Sequence, residues 1–288
     1  MRAGLHFWNF TVPGAPHTLA DLAVDTVRTA EEGGFDQLTV MDHWFQMEAM
    51  GEASEPMLEA FTTLGFLAGH TSRIRLGPLV SGVTYRHPGI LAKTATTLDV
   101  LSRGRSMLGM GAAWYEREHA AMGVAYPPLS ERFERLEEAV QIVLQMWGTD
   151  EGPYAGHHYG LAETLNRPQP VSQPHPPILI GGKGPRKTLR IGAQYAQIVN
   201  FTTSDVDEVA HLMDVLRRHC DALGTDFDAI EKQVMAGRRD PFGDDFLPDM
   251  QRLRALGIDL AVLNVRKPDP RGWTERLATE VLPHLTEV

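Results

Sequence analysis

Few features of this chain could stabilise it covalently or hold it in a membrane. One of its 288 residues, Cys220, is a cysteine, so an internal disulfide is excluded. No apolar run approaches the ~18 residues that a membrane-spanning helix needs, and no long apolar stretch follows a basic N-terminus. The sequence therefore predicts a soluble cytoplasmic protein with no membrane partner.

Basic clusters are also scarce. The chain has 27 lysines and arginines against 37 acidic residues, which gives a formal net charge of −10. Nucleic-acid binding needs a concentrated basic face, so the composition argues against a nucleic-acid partner. The local exception is the segment Lys183-Gly184-Pro185-Arg186-Lys187, which is either a solvated loop or an anion-binding site.

The short motifs of several common chemistries are absent as well. The sequence has no P-loop, no dinucleotide-binding glycine fingerprint and no Gly-x-Ser-x-Gly elbow. Two adjacent histidines, His157 and His158, fall in a segment rich in glycine and proline. No histidine pair has a convincing spacing for metal ligands, so the sequence predicts no metal site.

What the chain does have is a regular alternation of short apolar β-runs and helical stretches. Such alternation indicates a parallel sheet, and about eight rounds of it indicate a closed barrel. We therefore predict an α/β fold with one domain, a (β/α)8 TIM barrel over residues 1–288. The predicted strands are Ala3–Trp8, Asp36–Met41, Ile74–Ser81, Ser106–Met110, Pro177–Ile180, Gln197–Phe201, Lys232–Ala236 and Asp259–Val265.

Helical patterns fill the intervals between these strands. Pro88 suits the first position of the third helix, and the fourth helix has an apolar face from Phe133 to Trp147. The last helix is predicted over Trp273–Leu285. Between the fourth helix and the fifth strand, residues 150–177 predict an insertion that carries a hairpin. Cys220 follows a helical apolar series and is predicted to be buried.

Polar and small residues follow the strands, where parallel barrels place their chemistry. Asp42-His43-Trp44 closes the second strand. Histidine suits acid–base work near neutral pH and an aspartate can orient it, although such a pair is often only a structural hydrogen bond. Gly109–Ala113 and Gly181–Gly184 follow the fourth and fifth strands. They are either tight turns or places where backbone N–H groups approach an anion or a flat ring.

Four segments in order carry a family resemblance: Asp42-His43-Trp44, Gly77–Pro88, Leu108–Glu116 and Pro177–Gly182. Together they resemble the luciferase-like monooxygenase superfamily, and more narrowly its branch of oxidoreductases that use the deazaflavin coenzyme F420. The resemblance extends from Met1 to about Leu285. It implies a pocket for the deazaflavin ring at the C-terminal ends of the barrel strands.

The resemblance also implies positions for the cofactor. A bulge with a non-proline cis peptide behind the ring would fall at Leu79–Val80. Asp42 would lie by the polar edge of the ring, and the cofactor phosphate near the loops after strands four to six. The implied cofactor-binding residues are Asp42, Leu79, Val80, Ser81, Gly111, Ala112, Gly181, Gly182, Lys183 and Gly184.

Three residues are candidates for catalysis. His43 would lie on the substrate side as acid or base, and Trp44 matches a tryptophan of the sugar-phosphate dehydrogenases of this branch, or is only a pocket wall. Those enzymes carry a glutamate where this chain has Trp114, so we do not assign glucose 6-phosphate as substrate. Glu116, two residues away, is a catalytic or a structural acid. We expect an apolar chamber of four aromatic residues: Phe7, Trp8, Trp44 and Trp114.

The leading hypothesis is an oxidoreductase that transfers a hydride between F420 and a small, apolar or planar organic substrate. An FMN-dependent luciferase-like monooxygenase is the alternative with the same fold. A non-catalytic protein that binds a deazaflavin or flavin is the alternative from another class. The resemblance further implies a homodimer that buries helices two and three against the twin subunit.

Overall fold

A parallel β-sheet covered by helices makes up the computed structural model, which describes residues 1–48 and 50–288. Nine strands form one sheet, and two more form a separate antiparallel hairpin. The strands are β1 (Arg2–Phe7), β2 (Gln37–Val40), β3 (Arg75–Pro78), β4 (Ser81–Gly82), β5 (Leu108–Gly111), β6 (Tyr154–Ala155), β7 (Gly160–Leu161), β8 (Ile178–Gly181), β9 (Ile198–Phe201), β10 (Glu231–Met235) and β11 (Leu260–Asn264).

The nine-stranded sheet closes into a barrel because β3 and β4 are two halves of one interrupted strand. The order of the strands is β3-β2-β1-β11-β10-β9-β8-β5-β4. At its ends, β3 pairs with β2 and β4 pairs with β5, and a further parallel bridge joins Leu76 to Ser106. Counting the interrupted strand once leaves eight barrel strands, so the predicted (β/α)8 fold is confirmed.

Helices cover the outside of the barrel and bury apolar stripes against it. Cys220 is fully buried, as predicted. No helix of the described ranges combines the length and apolar character of a membrane span. The helices are α1 (Leu19–Glu32), α2 (Ala60–Ala68), α3 (Pro88–Leu101), α4 (Glu116–Met122), α5 (Leu129–Met146), α6 (Thr188–Tyr195), α7 (Val206–Leu223), α8 (Phe246–Ala255), α9 (Pro270–Arg276) and α10 (Leu282–Glu287).

Side chains on β1 alternate between the helix layer and the barrel interior. Leu5 and Phe7 join the large apolar cluster between barrel and helices, so Gly4 and His6 face inward. A Cβ added to Gly4 would lie 2.7 Å from Cγ of Gln37, which shows how tightly the interior is packed. A second, smaller apolar cluster is separate from the large one: Leu79, Met107, Leu179, Ile198, Leu260 and Val262.

Three elements differ from the sequence prediction. The third strand is interrupted between Pro78 and Ser81, and the Leu79–Val80 peptide within that break is cis. The last helix is divided by a π-helical segment, Leu277–Val281, because Pro283 has no N–H to continue the regular hydrogen bonding. The α4 helix was not predicted, since seven residues are too few for a clear apolar period. The predicted hairpin is present as β6 and β7.

Candidate active site at the carboxyl rim

The C-terminal ends of the eight barrel strands form one ring, here called the carboxyl rim. Asp42 follows β2 at this rim and is buried. Its carboxylate accepts a hydrogen bond of 2.5 Å from Ser81 Oγ and one of 3.0 Å from Arg86 Nη2. Burial alone would lower the pKa of Arg86, but the carboxylates of Asp42 and Glu59 raise it. The side chain of Asp42 is therefore fixed in position, and it ties β2 to β4.

His43, the next residue, is held by a carboxylate that sequence analysis missed. Its Nδ1 lies 2.7 Å from Oε1 of Glu118, and the backbone N–H of Trp44 donates to Oε2 of the same residue at 2.8 Å. The Tyr85 hydroxyl also donates to Glu118. Within the described part of the chain, Nε2 of His43 has no hydrogen-bond partner, so it is the free end of this network.

The charges in this network fix its protons. Burial would raise the pKa of Glu118, but its contacts with His43 and Tyr85 and the Trp44 N–H lower it. Burial, followed by the neighbouring Glu118 carboxylate, raises the pKa of Tyr85. Glu118 is therefore an anion and Tyr85 a neutral donor. An anionic acceptor at Nδ1 places the ring proton there and leaves the lone pair on Nε2.

A second histidine lies inside the barrel below His43. His6 is buried on β1, and its Nδ1 lies 2.8 Å from Oγ1 of Thr39. Burial, with a contribution from the charge of His43, lowers the pKa of His6 to about 3. His6 is therefore neutral at physiological pH.

Val80, next to the cis peptide, lies against glycines at the ends of β5 and β8. A Cβ added to Gly111 would lie 2.8 Å from Cγ2 of Val80, and one added to Gly181 would lie 2.7 Å from Cγ1. These contacts are closer than any ordinary Cβ contact, so glycine is needed at both positions. The residues implied around the ring, Leu79, Val80, Gly111 and Gly181, thus lie together at the rim.

Two amide oxygens near the rim are unsatisfied. Asn200 on β9 is fully buried, and its Nδ2 reaches Oε1 of Gln233 at 3.5 Å. The Oδ1 atoms of Asn200 and of Asn264, the last residue of β11, are buried without a partner among the described residues. Because a buried acceptor without a donor is costly, these atoms mark places where a polar ligand group would be stabilised.

The predicted phosphate loop has partners of its own. Nζ of Lys183 lies 2.8 Å from Oε1 of Glu208. A Cβ added to Gly184 would lie 2.6 Å from Oγ1 of Thr188, and Gly182 also approaches that side chain. The loop therefore wraps the start of α6, while Ala112 lies half-buried after β5.

Glu116 is exposed in the first turn of α4. Its catalytic role stays a prediction, whereas Glu118 occupies the buried position beside His43. The two residues differ by about 200° around a helix, so only one can face the barrel. The sequence shows both glutamates, but it does not show at which residue α4 begins, and that start decides which of them faces the barrel.

The predicted aromatic chamber is only partly assembled. Trp44 is half-buried and packs on Tyr85 with ring centres 4.6 Å apart, and Trp114 lies 5.5 Å from the His43 ring. Trp8 is half-buried and donates to the Val265 carbonyl. Phe7 was wrongly predicted to line the chamber: strand alternation turns it outward, where it stacks on Phe10 in the core.

Comparison with known proteins places this geometry in a family. Residues 5–239 match the family described as luciferase-like monooxygenase. The chain belongs to the luciferase-like monooxygenase family. The predicted family resemblance is thereby confirmed.

Several relatives of this luciferase-like chain share one name. A protein of Kineococcus radiotolerans named F420-dependent glucose-6-phosphate dehydrogenase is 33% identical over 225 residues, which are 76% of this chain and 63% of that protein. A protein of the same name from Nakamurella multipartita is 36% identical over 184 residues, 62% of this chain and 50% of that protein. The matched part of the chain thus covers between 50% and 63% of the length of these two relatives.

A solved structure supports the fold over the whole chain. The coenzyme F420 dependent tetrahydromethanopterin reductase from Methanopyrus kandleri superposes with a TM-score of 0.80 and covers 99% of both chains at 16% identity. At that identity the likeness establishes a shared barrel architecture.

Proposed function

We propose that this protein is an F420-dependent oxidoreductase that uses His43 to hold or release a proton beside the cofactor ring. The observation that carries the proposal is the network at the rim. Glu118 fixes Nδ1 of His43 and leaves Nε2 without a partner among the described residues. The names of the curated relatives support F420 as the cofactor.

The rim fits a flat tricyclic ring in two respects. Gly111 and Gly181 let the Val80 side chain pack directly on the ends of β5 and β8, where it can support one face of the ring. The buried Oδ1 of Asn200 offers an acceptor for a ring N–H. We propose that the ring is held by Asp42, Leu79–Val80, Ser81 and the two glycines. Bound F420 would supply two-electron hydride chemistry.

The polyanionic part of the cofactor needs donors and positive charge. We propose that backbone N–H groups of Gly182 and Gly184, with Lys183, contact its phosphate. Lys183 would exchange its partner Glu208 for the phosphate, which costs little because both side chains are largely exposed.

The work of the protein's own residues follows from their charges. Asp42 is held by Ser81 and Arg86 and so has a fixed orientation beside the ring. His43 has one free nitrogen, Nε2, because Glu118 holds Nδ1. Nε2 therefore accepts a proton from substrate in the oxidation direction and returns one in the reduction direction.

We propose a small, apolar or planar organic substrate. Trp44 and Trp114 beside His43 offer aromatic surface. Glucose 6-phosphate, the substrate in the names of the relatives, is not our choice, because the half-buried Ala112 and the exposed Trp114 after β5 supply no carboxylate.

We also propose a homodimer through α2 and α3. These helices expose large apolar side chains: Phe66 is 44% exposed, Ile90 62% and Leu101 65%. Exposed apolar groups on neighbouring helices favour a protein interface. Leu101→Glu should convert the dimer to a monomer, which sedimentation velocity would measure, while a monomeric wild type would contradict the proposal.

Titration of the apoprotein with F420 and with FMN, followed by cofactor fluorescence, tests the proposed function. We expect saturable F420 binding and weaker FMN binding. The bound cofactor is then assayed for hydride exchange with secondary alcohols, planar ketones and glucose 6-phosphate. Preference for FMN would indicate the monooxygenase alternative. Tight F420 binding without turnover by any substrate would indicate the non-catalytic alternative.

A further inference from the structure

The hairpin β6–β7 is anchored to α5 by one carboxylate. Glu138 on α5 accepts hydrogen bonds from three successive backbone N–H groups, those of His157 at 2.9 Å, His158 at 3.0 Å and Tyr159 at 3.0 Å. A Cβ on Gly156 would lie 2.2 Å from the same carboxylate, so the turn closes tightly over the helix. The turn is therefore held in place independently of its side chains.

This anchored turn brings two imidazoles onto a second carboxylate, one helical turn earlier on α5. Nε2 of His158 lies 2.9 Å from Oε2 of Glu134 and 3.3 Å from Nδ1 of His157. One ligand atom from each of these three residues lies within 4.8 Å of the other two. We call Glu134, His157 and His158 the hairpin–helix cluster.

The hairpin–helix cluster has fewer hydrogens than its close contacts require. In a neutral ring, Nε2 of His158 carries at most one hydrogen, and that hydrogen would have to serve both the Glu134 carboxylate and Nδ1 of His157. Three lone pairs, one carboxylate and two imidazole, can instead converge on one cation. A nitrogen–nitrogen separation near 3.3 Å is what a tetrahedral ion with bonds of ~2.0–2.1 Å produces.

The other ring nitrogen of His158, Nδ1, also lies near a carboxylate. Oε1 of Glu131 lies 3.9 Å from Nδ1, and the side chain of His158 is only 9% exposed. The same oxygen accepts a hydrogen bond of 2.8 Å from Nε of Arg135, so Glu131 adds negative charge near the ring without a hydrogen bond to it. Glu131, Glu134 and Glu138 lie on one face of α5 because they are spaced by three and four residues.

We propose that the hairpin–helix cluster binds a divalent transition-metal cation, Zn²⁺ above all, and thereby clamps the β6–β7 hairpin onto α5. Two imidazoles and one carboxylate suit Zn²⁺, Co²⁺ and Ni²⁺ and suit Mg²⁺ and Ca²⁺ poorly. Three protein ligands leave a further position for water. Sequence analysis predicted no metal because adjacent histidines have no ligand spacing, and Glu134 joins them only through the fold.

Co²⁺ and Zn²⁺ titrations of the untagged, chelator-treated protein test this site. Calorimetry gives stoichiometry and affinity, visible absorption of Co²⁺ reports tetrahedral coordination, and a thermal melt reports stabilisation. The variants are His158→Gln and Glu134→Gln, with His17→Gln as the matched control, because His17 is an exposed histidine outside the cluster. None of these positions belongs to the carboxyl rim.

We expect one Zn²⁺ or Co²⁺ per chain in the wild type, a rise in Tm on binding, and no change in His17→Gln. Each cluster variant should bind at least ~10-fold more weakly and lose the rise in Tm. Circular dichroism checks that the variants fold, and a misfolded His158→Gln is replaced by Glu134→Gln. Equal affinity in folded cluster variants, or no Co²⁺ absorption in the wild type, would overturn the proposal.

Discussion

The two ends of the barrel both carry polar side chains, but they use them differently. At the amino end, Arg75 and Arg2 pair with Glu231 at 3.0 and 2.8 Å, and Nη2 of Arg75 also donates to Oε1 of Gln37 at 3.3 Å. These groups satisfy one another. At the carboxyl rim, several polar side chains have a hydrogen-bond partner at one polar atom and, across the residues that the structure describes, none at the other.

The rim leaves acceptors free. His43 is fixed at Nδ1, and Asn200 and Asn264 keep Oδ1 atoms that have no partner in residues 1–48 and 50–288. Paired polar groups stabilise a fold, whereas buried groups left open are tolerated where a ligand completes them. The comparison therefore assigns stability to the amino end and chemistry to the rim. Each prediction below changes one residue and states whether turnover or stability should be affected.

The largest effect is expected at the free end of the rim network. His43→Ala removes Nε2 and should lower turnover by ~10²- to 10⁴-fold, the usual contribution of a general acid or base. Because the ring-binding residues stay intact, the affinity for F420 should change little. Steady-state kinetics and a fluorescence titration measure the two quantities. Unchanged turnover would remove His43 from the mechanism.

Glu118→Gln tests whether the rim carboxylate positions the histidine. A hydrogen bond to a charged partner contributes ~1.5–3 kcal/mol, so turnover should fall by roughly 10- to 100-fold. The loss should appear in kcat with little change in KM or in the affinity for F420, because Glu118 orients His43 through Nδ1. Glu116→Gln, exposed two residues away, is the control. A loss of the same size in Glu116→Gln, or a lower amount of folded Glu118→Gln that accounts for the whole loss, would indicate a merely structural role.

Glu231→Gln breaks the paired network at the amino end. We expect a loss of ~1.5–3 kcal/mol in the free energy of unfolding, with turnover per folded molecule unchanged. Burial would raise the pKa of Glu231, but Arg75 and its other partners lower it. The stabilisation is therefore fully present above the pKa of an unfolded glutamate, ~4.3. Below that pH, the difference in unfolding free energy between the wild type and Glu231→Gln should shrink. Denaturant titrations at pH 7 and pH 3.5 measure both.

His6 should make the barrel acid-sensitive. The unfolded chain binds a proton at this ring near pH 6.5, whereas the folded chain binds it only near pH 3. Stability is therefore complete above pH 6.5 and falls toward pH 3, by up to ~1.4 kcal/mol for each pH unit. His6→Gln should flatten this dependence in denaturant titrations, and His17→Gln should leave it unchanged. Equal slopes in all three proteins would contradict the account.

The sequence was sufficient for the barrel and for the position of Asp42 and His43, because apolar strands end in polar residues at one rim. It did not reveal Glu118, since the choice between Glu116 and Glu118 depends on where a seven-residue helix begins. It also could not reveal that Glu134 meets His157 and His158, residues that only the folded hairpin brings together. Polar residues that follow one strand could be predicted from the sequence. Contacts between residues of different elements could not.

The division between the two ends of the barrel is tested most directly by calorimetric titration of F420 into matched variants. Gly181→Val places a side chain where a Cβ would already lie 2.7 Å from Val80, and Glu231→Gln alters the opposite end. We predict that folded Gly181→Val loses F420 binding and that folded Glu231→Gln binds as the wild type does. Equal affinity in wild type and Gly181→Val would contradict the account.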